Sequence, residues 1–250
     1  LVRLSYKIYL MSDAYIVEAI RTPVGRRNGS LSNMHSADLG AHSLKALIEK
    51  VSIESSLVED VIFGCVDTIG SQAGDIARTS WLAAGLSEEV PGTTIDRQCG
   101  SSQQALHFAA QAVMSGTNDI VVAGGVQNMS QIPISAAMLA GKEFGFDDPF
   151  TGSEGWVSRY GSGLLSQFSS AQMIAEKWNI TRLDMEKFAL ESHKRAISAI
   201  EDGKFKDEIV PLSGFINDET PRNDTSLERM AGLEPLEEGS LITAATSSQI

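Results

Sequence analysis

Apolar residues follow two arrangements in the first half of this chain. Short, nearly continuous apolar runs at 15–20 (YIVEAI), 58–67 (VEDVIFGCVD), 93–95 and 119–123 predict strands, the last with no side chain set aside for water. Stretches of helical spacing lie between them. Leu44, Leu47, Ile48 and Val51 form one stripe of a helix over 38–51. A short helix carrying Trp81 is predicted over 75–85. Ala105, Leu106, Ala109, Ala112 and Val113 mark a buried, nearly all-apolar helix that Ser115-Gly116 ends. The order β-α-β-α-β-α-β implies a layered α/β domain with a largely parallel sheet.

Past Ser130 the period is lost. Residues 131–170 are rich in Gly, Ser, Met and aromatic side chains. Their apolar content (Met138, Leu139, Phe144, Phe146, Phe150, Trp156, Leu164, Leu165) argues against disorder and suits a covering loop domain. Helical pattern returns at 171–178. Thr181-Arg182-Leu183-Asp184 then reads as a capping box for a helix running through Ile200, with Met185, Phe188, Ala189, Ser192, Ala196, Ala199 and Ile200 on its buried side. His193 falls beside that stripe, with no partner evident, and reads as a surface or rim residue. RNDTSLERMAGLEPL, from Arg222, predicts a helix with Leu227, Met230 and Ala231 facing inward.

One position in this pattern carries chemistry. Cys99 lies in a sharp corner, DRQCG, between a β-branched run and the helix of 101–115. Unpaired N–H groups and the positive end of the helix dipole favour an anion there, the setting of a nucleophilic thiolate. A buried packing cysteine is the other reading. Cys65, inside an apolar strand run with no helix start after it, reads as a core residue. Two cysteines in 250 residues form no disulfide framework or metal-ligand spacing, and a reduced, cytoplasmic setting is the simplest inference. With 20 basic against 32 acidic residues the net charge is −12, which disfavours nucleic acid and anionic membrane surfaces as partners. No apolar run approaches the ~18 residues of a membrane span. Arg26 and Arg27 fall in a Pro/Gly loop and serve either as an anion site or as a solvated basic turn.

DRQCGSSQQAL followed by VVAGGVQNMS resembles the nucleophile segment of the thiolases. IVEAIRTPVGRRNGSL is similar to that family's opening, QMIAEKWNITRLDMEKFALESHKRAISA to its next helix pair, and RNDTSLERMAGLEPL and LITAATSSQI to two later segments. The resemblance covers about 240 of the 250 residues and the first half of the family's length. It implies an α/β, layered α-β-α domain with a mostly parallel sheet, plus an inserted loop domain. The implied plan is 1–10 as an extension ahead of Met11, 11–130 as the nucleophile domain, 131–240 as the substrate-covering loop domain, and 241–250 as a return strand to the first domain.

The resemblance also implies an activity: acyl-CoA C-acyltransfer by a ping-pong route, with Cys99 as nucleophile and its backbone N–H as one oxyanion donor. Arg222 matches an arginine over the nucleotide end of coenzyme A, although Arg229 stands where the family often has a small or hydroxylic residue. Ser248 matches a serine beside the pantetheine arm, with Thr246 in place of the usual Asn and Gln249 in place of the frequent Gly. Gln167-Phe168 replace the His-Met pair of short-chain biosynthetic members, which implies a longer, bulkier or ring-bearing 3-oxoacyl group. Coenzyme A enters as substrate rather than cofactor, no metal is implied, and homodimers or homotetramers are. The family's G-H-P histidine and second, C-x-G cysteine match nothing in these residues, so the 250-residue polypeptide alone is expected to be inactive. Two other readings stay open, a condensing enzyme of the same superfamily and a non-catalytic acyl-CoA- or lipid-binding protein.

Overall fold

The computed structural model describes residues 13–163 and 166–247. Ser248, Leu164, Leu165 and the 1–10 extension lie outside the described residues. The chain divides into two compact units, one of residues 1–22 and 33–136, the other of 23–32 and 137–250.

The first unit holds α1 (Ser36–Val51), β1 (Asp60–Gly64), α2 (Ile76–Ala83), β2 (Gly92–Ile95), α3 (Ser101–Ser115) and β3 (Val121–Gly125). The described strands form one parallel sheet in the order β2-β1-β3, with Val61 opposite both Gly92 and Val122. Alternate side chains of a strand face opposite sides. Ile62 accordingly packs with Ala105 and Ala109 of α3. Its neighbour Phe63 points the other way, toward Gly40 of α1. Helices therefore cover both faces, as the alternating pattern predicts. Buried Trp81 of α2 donates from Nε1 to the Ser87 carbonyl at 2.8 Å, so its one polar atom is satisfied.

Three expectations for this unit need correction. Residues 15–20 form no strand among the described residues, and Tyr15, Ile16 and Val17 are exposed. An apolar run becomes a strand only where a neighbour supplies the ladder. Helix α3 is buried on one side only: Ser101, Gln104, Ala105 and Ala109 are inside, while Leu106 is 44% exposed and Phe108 42%. The small alanines face the sheet, and the larger apolar residues find no cover in this unit. β3 likewise keeps only Val122 fully inside.

The second unit contains α4 (Ala136–Ala140, whose first residue belongs to the first unit), α5 (Glu154–Tyr160), α6 (Gln167–Trp178), α7 (Arg182–Glu201) and α8 (Leu227–Ala231). The α7 capping box is complete in both directions. Its expected buried side is not: Phe188 is 80% exposed and Ser192 is also exposed. The fully buried residue of α7 is Glu186, paired with Arg182. The helix expected from Arg222 is shorter, because Ser226 caps it and only 227–231 are helical. Residues 241–247 make turns and a single antiparallel bridge, Pro235 with Thr243, in place of a strand.

Candidate active site and the family of the chain

Cys99 follows the carboxyl end of β2, the edge at which open α/β sheets present ligand sites. The corner that carries it is tied from every side. The Ser101 hydroxyl accepts from the Arg97 N–H at 2.9 Å and donates to the Gln98 carbonyl at 2.5 Å. The Gln98 N–H donates to Asp96 Oδ1 at 2.8 Å, and the Arg97 guanidinium reaches Gln104 one turn into α3. Gln98 holds a left-handed backbone, φ 50°, which turns the chain so that Cys99 stands outward and exposed just ahead of the α3 N-cap, Gly100.

Two glycines make this corner possible. A Cβ on Gly64, at the end of β1, would overlap the backbone N of Ser102, and one on Gly125, at the end of β3, would overlap the Ser102 hydroxyl. The strand ends thus press against the first turn of α3. The other cysteine has a different character. Cys65 is buried, and burial first, then Asp67 and Asp96, push its thiol up to about 11.

The turn after β3 is held by a buried polar group that sequence reasoning missed. Asp67 Oδ2 accepts from the Ser135 N–H at 3.1 Å and from Gln127 Nε2 at 3.4 Å. Gln72 Oε1 accepts from the Asn128 N–H at 2.8 Å, while Gln72 Nε2 donates to the Asp67 carbonyl at 2.6 Å. The side-chain amide of Asn128 donates to the Met34 carbonyl at 2.9 Å. Polar residues inside apolar strand and loop context were the available signal, since buried polar groups are almost always partnered.

The remaining predicted residues fall in the second unit. Gln167 and Phe168 are in the first turn of α6, where the N-cap Ser166 hydroxyl accepts from the Phe168 and Ser169 N–H groups. Phe168 is half-buried and Gln167 exposed. Arg222 is exposed, and its backbone N–H donates to His193 Nδ1 at 3.2 Å. His193, expected without a partner, therefore has one. Burial first, then the Arg222 charge, lower the imidazole below its ordinary pKa. Upstream, the Glu219 carboxylate collects the Arg26 N–H at 3.0 Å and the Ser30 hydroxyl at 2.6 Å. The basic loop at 24–30 is thus organised by this carboxylate. Downstream, Arg182 of α7 donates to the carbonyls of Met230, Ala231 and Leu233 while pairing with Glu186 at 2.7 Å. That guanidinium closes the C-terminal end of α8, where a cation is favoured.

Residues 14–250 match the family described as thiolase, N-terminal domain. The chain belongs to the thiolase family. It is 56% identical over 245 residues to the steroid 3-ketoacyl-CoA thiolase FadA6 of Mycobacterium tuberculosis, covering 96% of this chain and 60% of that protein. It is 35% identical over 258 residues to the 3-oxoadipyl-CoA/3-oxo-5,6-dehydrosuberyl-CoA thiolase of Escherichia coli, covering 96% and 64%. The crystal structure of the Bacillus anthracis acetyl-CoA acetyltransferase superposes with a TM-score of 0.77 at 30% identity, covering 96% of this chain and 63% of that one. This thiolase chain spans less than two thirds of the length of each of these relatives.

Proposed function

We propose that the protein carrying this chain is an acyl-CoA C-acyltransferase with Cys99 as its nucleophile. The Cys99 thiolate attacks the 3-oxo carbonyl carbon of a 3-oxoacyl-CoA. The C2–C3 bond breaks, its electron pair takes a proton, and acetyl-CoA leaves. The shortened acyl group stays on Cys99 as a thioester. The thiolate of a second coenzyme A then attacks that thioester, and acyl-CoA departs as the Cys99 thiolate is restored. The activating histidine and the second cysteine of this scheme have no counterpart in the motifs of these residues. The 250-residue polypeptide alone should therefore turn over little. Arg222 and Ser248 are assigned to coenzyme A, and Gln167 and Phe168 to the acyl group. No resident cofactor is invoked. The assembly is a homodimer or homotetramer, placed in the cytoplasm; no described helix is long and apolar enough to cross a membrane.

The observation that carries the reading is the exposed Cys99 on its tied corner, in contrast to the buried Cys65, whose thiol burial pushes up to about 11. Reactivity tests it. Iodoacetamide at pH 7 should label Cys99 at least about tenfold faster than Cys65, acyl-CoA should protect it, and a 3-oxoacyl-CoA should leave an acyl adduct on Cys99 by mass spectrometry. Equal, slow labelling of the two cysteines would favour a non-catalytic acyl-CoA- or lipid-binding protein.

A further inference from the structure

Helix α7 presents one face to the segment that carries Arg222. Arg182, Glu186 and His193 are spaced i, i+4 and i+11, which places them on the same side of the helix. Arg182 closes the far end of the segment through the carbonyls of Met230, Ala231 and Leu233. His193 holds the near end through the Arg222 N–H. Pro221, just before, has no N–H and a fixed φ, so Arg222 supplies the first amide with which this stretch can be gripped. The Arg222 guanidinium makes no hydrogen bond or ion pair among the described residues, although its charge is felt by Asp224, itself paired with Arg229. The Arg222 backbone is held while its charged end stays available.

We propose that His193 is a positioning residue for coenzyme A: its Nδ1, accepting from the Arg222 N–H, fixes the backbone from which the Arg222 guanidinium meets the phosphates and adenine of the nucleotide. This rests on the assignment of Arg222 to coenzyme A made above. An accepting Nδ1 requires the neutral, Nε2–H form of the ring. A side chain reproduces the role if it places an acceptor at the Nδ1 position. Asparagine does so with Oδ1, and phenylalanine keeps the ring without the acceptor.

The test is titration calorimetry of coenzyme A and of adenosine 3′,5′-bisphosphate, a fragment of its nucleotide end, on the whole protein. His193→Phe should weaken both ligands about three- to tenfold, the range one neutral hydrogen bond supports. His193→Asn should bind within about twofold of the parent on the same reckoning. In an Arg222→Ala background, His193→Phe should have no further effect, because the imidazole acts only through Arg222. Parent-like binding by His193→Phe overturns the proposal, as does equal weakening by His193→Asn. So does a His193→Phe effect that survives in the Arg222→Ala background, which marks a merely structural role. If Arg222→Ala alone binds like the parent, the assignment of Arg222 falls and the role of His193 with it. If Arg222→Ala weakens binding and His193→Phe does not, only the proposal fails.

Discussion

Single side chains in this thiolase chain do their work by holding backbone. Glu219 is the clearest case. Its carboxylate gathers the N–H groups of Arg26 and Ser30 and the Ser30 hydroxyl, and so shapes the basic loop at 24–30. Burial pushes its pKa up, but the Ser30 hydroxyl, the two backbone N–H groups and the Arg26 charge together outweigh it, leaving the group below the ordinary carboxylate range. A carboxylate depressed in the folded state contributes stability above its unfolded pKa, near 4.3 for Glu, and that contribution is lost as pH falls through the lower folded value. Amide hydrogen exchange in residues 24–32 should therefore speed up as pH drops below about 4, once corrected for the intrinsic rate. Glu219→Gln should show the faster, corrected exchange already at pH 6 and lose the pH dependence. Identical protection in parent and variant across that range would remove Glu219 from this role.

At the scale of elements, the sequence pattern was most legible where a local signal and a packing surface agree. Leu44 and Ile48 of α1 are buried as their stripe predicts, and the Thr181–Asp184 box caps α7 in both directions. The alternation of helices and strands is realised as a parallel sheet covered on both faces. Legibility failed where an apolar pattern needs a neighbour to act on. Residues 15–20, Leu106, Phe108 and Phe188 have the right character, but the described residues provide no cover for them. The corner of Cys99 was readable from a turn, a helix start and the resemblance. The long-range supports of that corner and turn (Gly64, Gly125, Gln72, Asp67) were not, because they join residues distant in sequence. The same holds for α7, whose apparent apolar stripe hid a polar function. Glu186 is 3% exposed and Arg182 25%, and the pair ties α7 to α8. Arg182→Ala would leave a buried carboxylate and three carbonyls without their donor. It should cost about 3 kcal/mol in urea unfolding, the scale of breaking a buried ion pair. Arg182→Lys, which keeps the charge but loses the fork, should recover part of that loss. A parent-like midpoint for Arg182→Ala would mean α8 is held by Met230 and its apolar neighbours instead.

For the molecule as a whole, the acyl group proposed for Cys99 is testable through two features of the second unit. Gln167 and Phe168, the residues proposed for the acyl group, open α6. Phe150 stacks on Trp156 with centroids 4.7 Å apart, and Trp156 meets Tyr160 at the same distance with the rings tilted, a run of aromatic surface in the same unit. An acyl site lined by such aromatic side chains would gain little from a two-carbon remainder, because the gain scales with apolar area removed from water. It would gain far more from a ring. On this ground a bulky or ring-bearing 3-oxoacyl-CoA should exceed acetoacetyl-CoA in kcat/KM for the whole protein. Phe168→Ala should lower kcat/KM for the bulky substrate about tenfold, equivalent to roughly 1.4 kcal/mol of lost apolar contact, while changing acetoacetyl-CoA by less than about twofold. Steady-state kinetics on a panel of graded chain length and ring content decides it. Preference for acetoacetyl-CoA over every longer substrate would reject the bulky pocket. A uniform loss across the panel on Phe168→Ala would mean that Phe168 shapes the start of α6 rather than the acyl site.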